Sequence, residues 1–281
     1  MNLRLEDRNF SWNIGGKLFN IDSPKVMGIV NCTPDSFYSG SRNTTKAAIQ
    51  QQIETHIFEG ADILDIGGYS SRSGAEDISE KEEIERVKIA LEIVRNSTEL
   101  PVSIDTFRSE VARFALENGA QIVNDISAGK LDKNMFKTIS EYNAPMILMH
   151  MKGRPQTMQS ETNYTHLFQE LSLYFSEQIK AAREAGVIDL AIDLGFGFSK
   201  TIEQNFELFQ QMSDFHLFDL PILVGVSRKS MIYKSLEVSA DESSNGTTAL
   251  HMAALMKGAG ILRVHDVKEA VETVKLFELI R

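Results

Sequence analysis

The chain has 281 residues, enough for one or two domains at ~150 residues each. Twenty-nine Lys and Arg against 39 Asp and Glu give a net charge of −10, which argues against nonspecific binding to nucleic acid or an anionic membrane, since both require a basic surface. Apolar residues at 42% and charged residues at 24% describe a globular chain, and a lone cysteine, Cys32, excludes an internal disulfide and any multi-cysteine metal site.

The N-terminal run MNLRLEDRNF has no apolar signal core. No stretch of about 18 apolar residues follows it, so a soluble cytoplasmic protein is expected. Phe10–Phe19 reads as a hairpin turning at Gly15-Gly16 and lying outside the repeating pattern that follows.

Eight strand candidates then succeed one another: Lys25–Val30, Ile63–Ile66, Val102–Ile104, Gln121–Val123, Met146–Met149, Leu190–Ile192, Ile222–Val226 and Ile261–Val264. Most are continuous apolar runs, as expected of strands covered on both faces. Amphipathic stretches separate them. Ser79-Glu80-Lys81-Glu82 reads as a capping box, with Ile84, Val87, Leu91 and Val94 on one helical face behind it. Helices are also expected over 163–185, 200–211 and 266–279. Gly60, Gly119, Gly186 and Gly258 each stand between an amphipathic stretch and an apolar run, the place of a left-handed residue ending a helix. This alternation predicts a single domain over 1–281. It would be a (β/α)8 TIM barrel over 25–281, closed at its N-terminal end by the hairpin of 1–24. A doubly wound open sheet is the rival arrangement.

The strand ends are polar or glycine in every case: Asn31, Gly67-Gly68, Asp105, Asn124-Asp125, His150, Asp193, Ser227-Arg228-Lys229 and His265-Asp266. In a barrel these positions ring the C-terminal mouth, where active sites lie. Asp105, Asn124 and Asp193 match a flat ligand with several N–H groups and ring nitrogens. Arg72, Arg228, Lys229, Arg263 and His265 add positive charge suited to a phosphate or carboxylate. Simpler roles compete: Asp105 as cap of a helix near Arg108, Asp193 as brace of the Gly195–Gly197 turn, His265 as a helix cap, and Lys229 as a solvated charge. Cys32 reads as a small buried hydrophobe rather than a nucleophile. Of Phe196 and Phe198, ordinarily core residues, one is a candidate to face an aromatic substrate. Walker A, G-x-G-x-x-G, G-x-S-x-G and H-E-x-x-H motifs do not occur.

The strand ends also resemble a known set. Asn31-Cys32-Thr33-Pro34-Asp35-Ser36-Phe37 and Asp65-Ile66-Gly67-Gly68-Tyr69-Ser70-Ser71-Arg72-Ser73-Gly74-Ala75 are similar to the two signatures of the dihydropteroate synthase family. Ser103–Thr106, Val123–Ser127, Leu148–Met151, Asp193–Phe198, Val224–Ser230 and Arg263–Val267 follow in that family's order. The resemblance runs from about residue 10 to the C-terminus. It implies a Mg²⁺-dependent, cytoplasmic, homodimeric transferase of folate biosynthesis, whose small-molecule substrates are a dihydropterin diphosphate and 4-aminobenzoate.

The resemblance also implies residue roles. Asp105, Asn124, Asp193 and Lys229 would receive the pterin. Ser71, Arg72, Arg263 and His265 would hold the diphosphate, with Asn31 on Mg²⁺. Phe37, Ser71, Arg72, Phe198 and Ser227 would border the 4-aminobenzoate. Asp105, Lys229 and Arg263 would carry the catalysis. Tyr69, Ser71, Ser73, Leu194 and Ser199 depart from the family pattern, which has Glu, Thr, Pro, Pro and often Gly at these places. Two alternatives remain at this level: a folate-to-corrinoid methyltransferase of the same superfamily, and a binding protein that kept the pterin pocket without the transfer.

Overall fold

The computed structural model describes residues 10–32, 42–70 and 77–280, with the backbone alone for 42–45. Two strands, β1 (Phe10–Ile14) and β2 (Lys17–Ile21), pair antiparallel around Gly15 and Gly16, both at positive φ. Eight further strands alternate with helices. In chain order they are β3 (Lys25–Asn31), α1 (Arg42–Glu59), β4 (Ile63–Gly67), α2 (Glu80–Ser97), β5 (Val102–Asp105), α3 (Ser109–Glu117), β6 (Ile122–Asp125) and α4 (Met135–Glu141). Then come β7 (Met146–Met149), α5 (Leu167–Glu184), β8 (Leu190–Asp193), α6 (Ile202–Gln210), β9 (Ile222–Val224), α7 (Ser230–Tyr233), α8 (Ser244–Met256), β10 (Ile261–Val264) and α9 (Val267–Ile280). All pairings from β3 to β10 are parallel, and β10 returns to β3, closing the barrel and disposing of the open-sheet rival.

The four glycines foreseen as helix ends all have positive φ, from 88° to 103°. The capping box foreseen at Ser79 is half formed. Ser79 Oγ accepts from the Glu82 N–H, but Glu82 turns to Arg86, 2.7 Å away. A complete box stands instead at Thr201, whose hydroxyl accepts from Gln204 N–H while the Gln204 amide oxygen accepts from Thr201 N–H.

Period-two alternation along each strand sorts the barrel into an inner and an outer core. Outward residues such as Val26, Leu64, Ile104, Val123, Leu148 and Ile192 pack under the helices. Inward residues Met27, Ile63, Ile122, Ile147, Ala191, Leu223 and Ile261 fill the lower half of the barrel. Trp12, Ile14 and Ile21 of the hairpin pack beneath them, and Asn13 N–H donates to Asp189 ahead of β8 at 2.6 Å. The hairpin is therefore the barrel's floor, as expected.

Candidate active site

Two residues further along the same inward rows, the lining turns polar. Met27 and Ile29 lead to Asn31, Ile63 to Asp65 and Gly67, Ile122 to Asn124, Ala191 to Asp193, and Ile261 to Arg263. Register places Asp65 beside Ser103 and Asp105 beside Asn124. The apolar floor thus ends in a layer of acids, amides and one arginine facing a common axis. Several of these expected strand-end residues are the last paired residues of their strands, because the ladder extends through the polar positions. β9 is the reverse case, ending at Val224 rather than Val226.

Arg263 organises this layer. Its Nε donates to Asp65 and its Nη2 to Asp105, each at 2.6 Å. Asn124 donates to the same Asp65 oxygen at 3.2 Å. Burial disfavours the guanidinium charge, but Asp65 and Asp105 outweigh it and hold the group protonated. Burial also lifts the Asp105 carboxyl above the usual range, against the pull of Arg263. Asp105 does not cap α3, whose cap residue Arg108 makes no side-chain cap bond.

Across the mouth, Asp193 accepts the Gly195 N–H at 2.8 Å, so it braces the turn and faces the site together. Burial raises its pKa and Lys229 counters. Lys229 is no solvated charge. Its ammonium donates to the Phe196 carbonyl and lies 4.7 Å from the Phe198 ring centroid, and burial pulls its pKa down to about 8. Gly225 lies beside both groups: a Cβ there would make ordinary van der Waals contact with Lys229 Nζ and Asp193 Oδ2. Phe196 is core, against Phe209, while Phe198 is half-buried above Ile126, Met149, Met151 and Met158.

Ser227 and His265 meet at the same rim, with Ser227 Oγ 3.1 Å from His265 Nδ1. Arg228 departs from the expected cationic cluster. It forks onto Asp266 at 2.6 and 3.0 Å and reaches Asp241 at 2.8 Å, so its charge is spent on the fold. Asp125 points outward and accepts from Ser127 and Gly129, leaving Asn124 as the inward member of that pair. Cys32 is buried, and burial pushes its thiol up to about 12, which fits the hydrophobe reading. Phe37, Ser71, Arg72 and Ser73 lie outside the described residues.

Four residues escaped the sequence reading as contributors. Asp65 had a signal, a carboxylate inside an apolar strand run. Glu83 and Arg108 had none, because each acquires its partners from distant segments: Glu83 accepts from Thr106 and Arg108, both at 2.7 Å. Lys200 had none because its burial against His150, 50 residues away, is set by the fold. The departures from the family pattern at Tyr69, Leu194 and Ser199 are accommodated. Tyr69 stacks edge-on to Phe107 and accepts from Gln156, and Leu194 is core. Ser199 takes a left-handed φ of 51°, with its hydroxyl bonded to both backbone polar groups of Lys152.

The chain matches the family model described as pterin binding enzyme over residues 27–265. It is 40% identical over 265 residues to the dihydropteroate synthase of Escherichia coli K12, covering 94% of each chain. The crystal structure of Yersinia pestis dihydropteroate synthase with a sulfonamide drug complex superposes with a TM-score of 0.91 at 35% identity, covering 97% of this chain and 99% of that one. That of Xanthomonas albilineans dihydropteroate synthase with 4-aminobenzoic acid does so with a TM-score of 0.90 at 35% identity, covering 96% and 97%.

Proposed function

This chain belongs to the dihydropteroate synthase family of pterin-binding enzymes, and from that premise we propose how its residues divide the work. It is a transferase of folate biosynthesis, joining 7,8-dihydropterin-6-ylmethyl diphosphate to 4-aminobenzoate with release of diphosphate. The methyltransferase and binding-protein alternatives have no comparable support. The observation that carries the residue assignment is the convergence of Asp105, Asn124, Asp193, Lys229 and Arg263 on one mouth above an apolar floor.

A pterin edge offers a ring N–H beside an amino group, and a carboxylate accepts both together. Asp193 takes that edge, with Asn124 and Lys229 completing the in-plane contacts. Asp105 faces the reacting methylene, where its negative charge stabilises the cation that develops as the carbon–oxygen bond to diphosphate breaks. Arg263 is aimed by two acids through Nε and Nη2, and with His265 it receives the departing oxygens. The neutral arylamine attacks the methylene carbon and then gives up its proton to solvent, so no protein nucleophile is needed. Phe198 and Ser227 flank the 4-aminobenzoate, with Phe37, Ser71 and Arg72 assigned by motif.

Asn31 ends β3 beside Gly67, half-buried at the mouth. No group of three or more His, Cys, Asp or Glu suited to a metal stands among the described residues. One neutral oxygen donor fits Mg²⁺, which keeps several waters and takes phosphate oxygens. Asn31 would hold the ion, which when bound neutralises diphosphate charge. We also infer a single-domain homodimer in the cytoplasm. The dimer draws support from Met256 on α8 and Leu276, Leu279 and Ile280 on α9, all exposed.

A coupled assay for diphosphate release tests the reaction. Release that requires both the pterin diphosphate and 4-aminobenzoate is expected. Tight pterin binding without release would overturn it.

A further inference from the structure

Lys200 is a buried ammonium for which the transfer reaction has no direct use. Only 5% of it is exposed. Burying an alkylammonium is costly unless it is fully paired, and burial pulls this one down to about 7. Helix stability does not explain it either: Lys200 precedes Thr201, the cap of α6, and positive charge at a helix N-terminus opposes the dipole.

Its partners give the explanation. A lysine ammonium has three N–H donors, and Lys200 reaches three acceptors: Gly195 O at 3.0 Å, Phe198 O at 3.1 Å and His150 Nδ1 at 3.1 Å. The loop between them passes through positive φ at Gly195, Gly197 and Ser199. It lies so close to the end of β7 that a Cβ on Gly195 would overlap the His150 carbonyl. His150 is held neutral, its pKa depressed first by burial and then by Lys200, as an acceptor at Nδ1 requires.

The same loop carries groups of the site. Phe196 O receives the Lys229 ammonium, and the Phe198 ring lies beneath that ammonium. Lys200 therefore binds the carbonyls of Gly195 and Phe198, while Lys229 binds the carbonyl of Phe196 between them.

We propose that Lys200 is a positioning residue for the transfer reaction: tied to Gly195 O, Phe198 O and His150, it fixes the loop that orients Lys229 and presents Phe198 to 4-aminobenzoate. This rests on the function proposed above. Lys200 touches neither substrate. Its removal takes the donor from the Phe198 carbonyl and leaves the Gly195 carbonyl with only the Phe198 N–H, so the loop shifts and the aromatic wall with it. Asp193 and Asn124 keep the pterin edge through side chains on β8 and β6.

The test compares K200M and K200Q with wild type as full chains. It reads kcat and KM for 4-aminobenzoate from diphosphate release, Kd for pterin diphosphate from calorimetry, and the thermal midpoint. For K200M, KM for 4-aminobenzoate should rise about tenfold and kcat fall about tenfold, since a displacement on the order of 1 Å in a positioning element has effects of that size or larger. Kd for pterin diphosphate should rise by less than this, about threefold at most, because Asp193 and Asn124 stay in place on β8 and β6 and only the Lys229 contact depends on the loop. K200Q offers two N–H donors for the two carbonyls and should recover most of the KM loss. If both variants match wild-type kinetics, the proposal is overturned. It is also overturned if both substrates weaken in parallel with a fall in thermal midpoint, the signature of a merely structural role. Should K200M fail to fold, K200Q decides alone: a KM for 4-aminobenzoate that stays measurably above wild type, because the rescue is incomplete, with a smaller change in pterin affinity upholds the proposal, and a KM equal to wild type or a parallel weakening of both substrates overturns it. Wild type run alongside separates the two layers. No two-substrate release in wild type overturns the proposed function and Lys200 with it, whereas an active wild type with unaltered variants overturns Lys200 alone.

Discussion

One oxygen of Asp193 accepts the Gly195 N–H, and the other lies toward Gly225 near the Lys229 ammonium. Asp193→Asn keeps an acceptor for the first contact and loses the charge on the second. The variant should fold with little change in stability and bind a pterin ligand about 2–5 kcal/mol more weakly, the range for losing one partner of a buried charged pair. Calorimetry checks this, and near-wild-type affinity would remove Asp193 from the pterin site. Lys229 sets a pH dependence. Its pKa in the folded protein is about 8, below the ordinary ~10.4 of the unfolded chain. The unfolded chain therefore binds the extra proton between those values, and this group's contribution to stability rises with pH across that window. Binding runs the other way, because the site loses its ammonium charge above about pH 8. Affinity for pterin diphosphate should fall through that point, and the slope attributable to Lys229 should vanish in Lys229→Met. Cys32, with its thiol pushed up to about 12, should resist alkylation in the native state and react only after denaturation. A thiol titration with and without denaturant reads this directly.

Among the elements, α6 shows how a short helix supports the loop in front of it. Thr201 and Gln204 cap each other's backbone. Asn205, one residue further on, accepts from Gly197 N–H at 2.7 Å and donates to Thr201 O at 2.6 Å. Thr201→Ala should cost about 0.5–2 kcal/mol, as cap removals do, read as a lower denaturant midpoint. The effect on pterin affinity should be smaller than that of Asp193→Asn. α2 makes a different use of a buried acid. Glu83 accepts from Thr106 and Arg108, and Arg108 also donates to the Ile78 carbonyl at 2.7 Å. The segment entering α2 is thereby tied to the loop after β5, beside the site.

For the molecule as a whole, floor and mouth are separate assignments of one barrel. Trp12 is buried with Ile14 and Ile21 under the inward apolar layer, at the opposite end from Asp105 and Asp193. Trp12→Ala should destabilise by about 3–5 kcal/mol, the usual loss for a buried large aromatic. Pterin affinity of the folded variant should be unchanged, because effects at distant, unconnected sites add independently. A variant in which affinity falls with stability would show that the two ends are coupled.

The strand ends were legible because a barrel places them together whatever the details of its loops: β/α alternation alone gathered Asn31, Asp105, Asn124, Asp193, Lys229, Arg263 and His265 at one rim. The hairpin was legible because Gly15-Gly16 between apolar alternations admits little else. Long-range partnership was not legible. Arg228 and Arg263 look alike in sequence, each following a strand or within one, yet Arg228 is consumed by Asp241 and Asp266 while Arg263 is aimed into the mouth by Asp65 and Asp105. Asp125 and Asn124 are neighbours in sequence, and only the register of β6 between β5 and β7 decides which one faces inward. Nothing local marks Lys200, and folding encloses it with the carbonyls of Gly195 and Phe198 against the ring of His150, 50 residues away. Local periodicity and turn chemistry are properties of a few consecutive residues, so the sequence alone determined the barrel and its rim. Ion pairing and burial depend on segments as many as 198 residues apart, so the tertiary structure alone decided which charges face the barrel mouth and which are paired elsewhere in the fold.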